Sequence, residues 1–212
     1  LSILIGLMSS GGCTLFSIEL GPKMSSLEEN IVGGGGGNKV LIVEIEGVIS
    51  NQDKNSTLGN KVDSGMVERV RETLEKAEGD DAIKAILLRI NSPGGTVTSS
   101  DIIFHELKSF KEKNGIKIYA VLMDVAASGG YYVALAADKI IAHPTSLTGS
   151  IGVIAMKANL KGLMEKFGVD MEVVKSGDKK DFLSPMRPFT KEERRLLQTT
   201  IDGFHDRFVQ LI

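Results

Sequence analysis

The segment from Asp124 to Tyr132, Asp-Val-Ala-Ala-Ser-Gly-Gly-Tyr-Tyr, holds the residues best placed to do chemistry. It follows the apolar run 118–123, typical of a strand, and leads into the small-residue run 133–137, typical of a helix. Such a turn would put the Ser128 hydroxyl beside the amide of Gly129, and a nucleophile next to an anion-stabilising amide is what acyl transfer requires. The alternative is that Ser128 only caps the helix, while the glycines permit close packing.

A nucleophilic serine needs a base, and none of the three histidines stands out. His143 lies before a proline at a turn, while His105 and His205 lie among charged residues on predicted helices. A lysine can replace histidine when it is stripped of water, because burial disfavours the ammonium form. The candidates share one turn-rich segment and are lysines 175, 179 and 180. Composition does not choose among these three.

The rest of the chain alternates predicted strands and helices, which indicates an α/β fold with a mainly parallel sheet and right-handed βα crossovers. The predicted strands are 39–49, 82–90, 116–123, 139–142 and 171–175. The predicted helices are 66–78, one from a capping box at Thr98, one after Ser128, 160–167, and one from a capping box at Thr190 that is still running at Ile212. Sites gather at the carboxyl ends of parallel strands, so Gly94, Gly95, Ser128 and the turn 148–150 should meet.

Composition excludes several classes of function. Lysine and arginine number 25 against 27 aspartates and glutamates, and there is no tryptophan, so nothing favours nucleic-acid binding. The single cysteine, Cys13, excludes an intrachain disulfide and a multi-cysteine metal site. The histidines lack the spacing of metal ligands. We therefore expect neither a metal nor a cofactor.

The first 38 residues differ from the rest. Residues 1–23 start with an apolar stretch that we interpret as a membrane anchor or signal remnant, although the uninterrupted part, 1–8, is shorter than the ~20 residues that span a bilayer. Ser10-Gly-Gly-Cys13 is similar to a lipoprotein processing site, which would make Cys13 the lipidated residue. Residues 24–38, with five consecutive glycines, predict a flexible tether. A single domain is predicted over 39–212.

Four motifs, in this order and spacing, resemble the signal peptide peptidase A family, also called protease IV. They are Asn91-Ser-Pro-Gly-Gly95, Ala127-Ser-Gly-Gly-Tyr-Tyr132, Thr148-Gly-Ser-Ile-Gly-Val153 and Lys175-Ser-Gly-Asp-Lys-Lys-Asp181. The resemblance covers about residues 39–212 and implies a ClpP/crotonase-like fold and a peptidase with a Ser/Lys dyad. Family proteins continue past this point, so it also implies that the C-terminal part of the domain is truncated here.

The resemblance assigns the reacting groups by position. It implies that Ser128 is the nucleophile, that Lys180 is the general base and that the Ser150 hydroxyl holds this lysine in place. For Lys180 to act as a base, its neighbour Asp181 must turn away from it, so we interpret Asp181 as a structural residue of the turn.

The groups around the reacting carbonyl are assigned less directly. The resemblance implies that the backbone amide of Gly95 is an oxyanion donor, and the expected turn geometry adds the amide of Gly129. The low content of large residues at Gly94, Thr96 and Val97 predicts a substrate groove for small or aliphatic side chains.

The resemblance implies a membrane-tethered endopeptidase that hydrolyses residual signal peptides and other extended apolar peptides. The catalytic domain is expected on the extracytoplasmic side, in the periplasm or at the cell surface of a bacterium. Family members form rings or domes, so the resemblance implies a homo-oligomer. The alternatives are a crotonase-like acyl-thioester enzyme in which Ser128 is idle, and a catalytically silent scaffold at the membrane surface. A ClpP-type triad is disfavoured, because no histidine occurs from 144 to 198.

Overall fold

The computed structural model describes residues 29–52, 54–55 and 62–212. In chain order the elements are β1 (Lys39–Glu46), β2 (Lys54–Asn55), β3 (Val62–Asp63), α1 (Met66–Ala77), β4 (Ile83–Ser92), α2 (Val97–Asn114), β5 (Lys117–Ala127), α3 (Gly129–Ala134), β6 (Lys139–Ala142), β7 (Leu147–Gly149), α4 (Lys161–Lys166) and α5 (Lys191–Gln210). The predictions for residues 1–23, Cys13 among them, lie outside these ranges. Residues 29–38 are exposed and have no helix or strand.

The main sheet has the strand order β1-β4-β5-β6, with β7 paired to the carboxyl end of β5. All of these pairs are parallel. The predicted α/β architecture with a mainly parallel sheet is thus confirmed. Because parallel strands end on the same side, the residues that follow β4, β5 and β7 are brought to one edge of the sheet.

The core lies between this sheet and the helices that follow its strands. Helix α1 buries Val67, Val70, Leu74 and Ala77, the face that its periodicity predicts. Helix α2 buries Ile103, Leu107 and Phe110, again as predicted, and the fully buried side chains of β4 are Ile86, Leu88 and Ile90. Each such aliphatic side chain contributes about 1.5–3 kcal/mol of transfer free energy, so these contacts hold the strand ends in place.

The sheet becomes irregular where β4 and β5 approach their ends. The register between the two strands shifts between Ile90 and Ser92, so that Ser92 pairs with Ala126. The Asn91 side-chain oxygen accepts a hydrogen bond from the amide of Val125 at 3.2 Å and fills the irregularity. Bulges of this kind redirect the chain and often lie next to active sites.

Three predictions about the elements were wrong. Residues 171–175 form no strand, and Val174 is fully exposed, because an alternation of apolar residues does not make a strand without a neighbour to pair with. Helix α2 is capped by Thr96, not Thr98, because the Thr96 side chain accepts the amide of Ser99. Helix α5 ends at Gln210 and does not run on to residue 212. The Thr190 capping box is confirmed, with Thr190 and Glu193 each accepting the other's backbone N–H.

Residues 150–190, which we call the arm, extend from the core and are largely exposed. The arm is held together by its own contacts, for example the amide of Leu160 donating to the carbonyl of Pro185 at 2.8 Å. Its exposed apolar side chains include Ile154, Met156, Phe167, Val174 and Leu183. Within the described ranges, no helix has the length and apolarity that crossing a bilayer would need.

Candidate active site

Ser128 lies between the last residue of β5 and the first residue of α3. Its backbone has φ 51° and ψ −120°, a conformation that residues other than glycine rarely adopt. Among the residues that the structure describes, only Ser128 and Ser150 combine a positive φ with a side chain. Such strain persists only where the surroundings enforce it, and it is typical of a nucleophile on a sharp strand-to-helix turn.

The Ser128 hydroxyl has no hydrogen-bond partner among the residues that the structure describes. It makes no cap hydrogen bond to α3, so the interpretation of Ser128 as a simple helix cap does not fit this geometry. The backbone is fixed on both sides, with the Ser128 amide donating to the carbonyl of Gly149 at 2.8 Å and the Tyr132 amide donating to the carbonyl of Ser128 at 2.9 Å. The side chain is half-buried at the edge of the sheet.

The Gly94-Gly95 turn packs directly against Ser128. A Cβ atom on Gly94, which has φ +102°, would lie 2.7 Å from the amide nitrogen of Gly129 and 2.9 Å from the Ser128 Cβ. On the other side the Ile49 amide donates to the carbonyl of Gly94, and the Thr96 amide donates to the carbonyl of Ile49, both at 2.9 Å. Only glycine at position 94 allows this close approach.

The amides of Gly95 and Gly129 lie where the Gly94-Gly95 turn packs against Ser128. A Cβ on Gly129 would lie 3.1 Å from the Gly95 nitrogen, so the two residues are in contact. In the described part of the chain neither N–H has an acceptor. Two unpaired amides next to a free hydroxyl are what a tetrahedral oxyanion requires.

We predict that Gly95→Ala destabilises the fold and inactivates the site, because the new Cβ would lie 1.9 Å from the carbonyl oxygen of Ile49. Overpacking of this kind costs about 1–3 kcal/mol or more. Thermal unfolding should show a lower midpoint for this variant. The matched control is Gly203→Ala in α5, where a Cβ meets nothing within 4 Å and alanine favours the helix. Equal midpoints for the two variants would contradict the prediction.

Two buried serines that the sequence analysis missed support the turn. Ser92, fully buried, donates from its hydroxyl to the carbonyl of Gly47 at 2.6 Å and accepts the amide of Gly94 at 3.1 Å. Ser100 donates to the carbonyl of Thr96 at 3.0 Å, and its oxygen would lie 2.3 Å from a Cβ on Gly129. The polar residues inside Asn91-Ser-Pro-Gly and at the start of α2 were the signal that could have identified them.

Ser150 lies at the same edge of the sheet as Ser128. Ala127 and Gly149 are register partners in the β5–β7 pair, so Ser128 and Ser150 each directly follow a member of one pair. Ser150 has φ 52° and is exposed. The strand pairing therefore brings both predicted serines to one side of the sheet.

The three candidate lysines have different surroundings. The Lys175 amine contacts the Asp181 carboxylate at 2.8 Å, and the Lys179 amine contacts Glu192 at 2.7 Å. The Lys180 amine has no ion-pair or hydrogen-bond partner among the described residues. It is exposed in the single chain, so the dehydration that a lysine base needs is not provided by this chain's own residues.

Asp181 turns away from Lys180, as predicted. Arg187 donates to both carboxylate oxygens of Asp181, at 2.8 and 2.9 Å, and to Glu193 at 2.8 and 2.6 Å. Hydrogen bonds from Arg187 and then Lys175 hold the pKa of Asp181 far below its usual value, and Arg187 lowers the pKa of Glu193 to about 2. These carboxylates stay ionised at neutral pH and hold the arm next to the start of α5.

The predicted groove residues Thr96 and Val97 and two of the histidines also make structural contacts. The Thr96 hydroxyl bonds to Ser99 at 2.8 Å and caps α2, while Val97 is the half-buried first residue of that helix. The rings of His143 and His105 contact Thr145 and Arg207, both at 2.8 Å. Over the ranges that the structure describes, no cluster of side chains could hold a metal ion.

Comparison with known proteins adds independent findings. The family model of peptidase family S49 matches residues 110–212, and that of Clp protease matches residues 46–148. The second match agrees with the ClpP-like α/β fold predicted from the sequence. A solved structure of ClpP1 from Listeria monocytogenes is 27% identical with a TM-score of 0.35, covering 45% of this chain and 46% of that one.

Several curated relatives carry peptidase names. The chain is 36% identical over 185 residues to a protein of Enterococcus faecium named as a signal peptide peptidase, SppA, covering 87% of this chain and 53% of that protein. It is 31% identical to Protease 4 of Haemophilus influenzae (100% and 33%) and 34% identical to the chloroplastic serine protease SPPA of Arabidopsis thaliana (82% and 25%). The chain thus spans about half the length, or less, of these relatives.

Proposed function

We propose that the chain is a membrane-tethered serine endopeptidase of the S49 peptidase type, which uses Ser128 as nucleophile and Lys180 as general base. The observation that carries the proposal is the strained Ser128, with a free hydroxyl, beside the unpaired amides of Gly95 and Gly129. The hydroxyl supplies the nucleophile of acyl transfer, and the two amides supply preorganised hydrogen-bond donors for the oxyanion.

In the proposed reaction, the Ser128 oxygen attacks the scissile carbonyl while the neutral Lys180 amine takes the hydroxyl proton. The negative charge on the carbonyl oxygen is stabilised by the amides of Gly95 and Gly129. The resulting ammonium returns the proton to the leaving amine, which gives an acyl-serine. Water then attacks the ester with Lys180 again as the base, and Ser128 recovers its proton.

Lys180 needs water removed from its surroundings before it can act as a base at neutral pH. In the single chain it is exposed, on an arm whose apolar side chains are also exposed. A homo-oligomer in which a second copy covers the arm would bury both together. We therefore propose that assembly completes the site, with the Ser150 hydroxyl holding the amine.

The proposed substrates are extended apolar peptides, including residual signal peptides. Such peptides can add a strand beside the Gly94-Gly95 turn, with small or aliphatic side chains next to Thr96 and Val97. Residues 1–23, or a lipid on Cys13, would tether the domain through 24–38 to the extracytoplasmic side of the membrane. The name of the Enterococcus relative supports the substrate class.

A serine-reactive fluorophosphonate tests the proposal. We expect a single covalent adduct on Ser128, located by peptide mass spectrometry, because the oxyanion donors accelerate attack by this hydroxyl alone. Ser150 is the matched control, since it shares the positive φ and is exposed. No adduct on Ser128 would favour the crotonase-like alternative, in which this serine is idle.

A further inference from the structure

Three helices meet at one carboxylate, Asp101 in the first turns of α2. The Tyr132 hydroxyl, from α3, donates to Asp101 at 2.5 Å. Arg207, from α5, donates to the two oxygens of the same carboxylate at 2.9 and 3.1 Å. The sequence motif that contains Tyr132 was identified for its serine and glycines, and the proposed reaction gives the tyrosine no part.

The Tyr132 ring is fixed as well as its hydroxyl. The side chain is 4% exposed and packs against Phe104 and Phe208, with ring centroids 5.6 and 4.9 Å away. Burial and the bond to Asp101 raise the pKa of Tyr132 to about 12. Burial alone would raise the pKa of Asp101, but the bonds from Tyr132 and Arg207 outweigh it and lower that pKa. The phenol–carboxylate bond is therefore stable across neutral pH.

This bond joins the two helices that set the positions of the oxyanion donors. Gly95 lies two residues before α2, and Gly129 is the first residue of α3. Tyr132 also donates its backbone amide to the carbonyl of Ser128. Tyr132 thus contacts the backbone of Ser128 through its amide and helix α2 through its hydroxyl.

We propose that Tyr132 is a positioning residue, which through Asp101 fixes the distance between the Gly95 and Gly129 amides and depends on Arg207 of α5 to hold the carboxylate. The inference rests on the proposed function, because it gives these amides an oxyanion to bind. Through Arg207, helix α5 would then contribute to the rate of peptide hydrolysis, although it is far from Ser128 in sequence. Donors that are displaced by a fraction of an ångström lose transition-state stabilisation while leaving substrate binding intact.

Tyr132→Phe tests the bond and keeps the ring contacts. We expect kcat for peptide hydrolysis to fall about tenfold while KM changes less than about twofold. The Ki of a peptide aldehyde, whose hemiacetal oxyanion occupies the same donors, should rise in proportion to the fall in kcat/KM. Arg207→Ala should reproduce part of the loss, and Arg207→Lys should restore part of that activity.

The matched control is Arg71→Ala. Arg71 of α1 bonds to Glu106 of α2 at 3.0 and 3.2 Å, so it joins a helix to α2 as Arg207 does, but through Glu106 and not through Asp101. We expect this variant to keep kcat and the aldehyde Ki of the unaltered chain. An equal loss in Arg71→Ala and Tyr132→Phe, or a change in KM alone, would overturn the positioning role.

An activity-independent measurement separates this inference from the proposed function. The backbone amide resonances of Gly95 and Gly129 should shift in Tyr132→Phe and stay in place in Arg71→Ala. Unmoved resonances would overturn the inference even if the chain cleaves peptides. If the chain cleaves no peptide and Ser128 takes no label, the proposed function fails, while shifted resonances would still support the connection between the amides.

Discussion

Ser128→Ala is expected to lower kcat for cleavage of an unstructured apolar peptide by about 10⁶-fold, the scale of losing the nucleophile of a serine peptidase. The reason is that the amides of Gly95 and Gly129 remain, but no covalent intermediate can form. The loss should occur without unfolding, because the Ser128 hydroxyl supports no cap or other contact of the fold. Turnover that survives the change would exclude Ser128 as the nucleophile.

A second substitution at the same position separates chemistry from strain. Ser128→Gly also lacks the hydroxyl, but glycine adopts φ 51° and ψ −120° without a steric penalty. We expect it to be as inactive as Ser128→Ala and more stable than that variant by about 1 kcal/mol. Thermal or denaturant unfolding of the two variants measures the difference. Equal stabilities would show that the turn is not strained.

Lys180→Met is expected to lower kcat by about 10³–10⁴-fold, the upper range for the loss of a general base. Methionine keeps the length of the side chain and removes the amine. In the unaltered chain the rate should rise with pH in one step, because a general base must be neutral to accept a proton. That step should be absent from the residual rate of Lys180→Met across the same pH range.

Lys179→Met is the control, since it removes an amine one residue away that is paired with Glu192. It should keep both the rate and the pH profile of the unaltered chain. Lys175→Met is a stricter test, because it also loosens the cluster around Asp181. If the pH step vanished with Lys179 or Lys175 but survived the loss of Lys180, the assignment of the base would be wrong.

Local patterns predicted most of the fold. Strands such as β4 and helices such as α1 carry periodic apolar residues, and the turn at Ser128 is encoded by adjacent small residues. Segment 171–175 has a similar local pattern but forms no strand, because pairing depends on a neighbour that the pattern does not contain. Thr98 has capping-box form, yet Thr96 caps α2, since cap choice depends on where the chain leaves the preceding turn.

The site was predictable to the extent that its residues are neighbours in sequence. Ser128 and Gly129 belong to one turn, but the choice among lysines 175, 179 and 180 depends on which of them pairs with Asp181 or Glu192. Tyr132 was visible in its motif, while its contact with Asp101 requires the packing of α2 on α3. Long-range contacts of this kind have no local signature.

The bridge between Ile49 and Gly95 has a consequence for how this site tolerates change. The Ile49 amide donates to the carbonyl of Gly94, and the Ile49 carbonyl accepts the amide of Thr96. Because successive backbone groups of an extended chain point in opposite directions, the N–H of Gly95 points away from Ile49. The position of a residue in this alternation, more than the identity of its side chain, therefore decides which amide is left to bind an oxyanion. An insertion or deletion of one residue between Asn91 and Thr96 would exchange these roles and silence the chemistry, even if every side chain named above were kept.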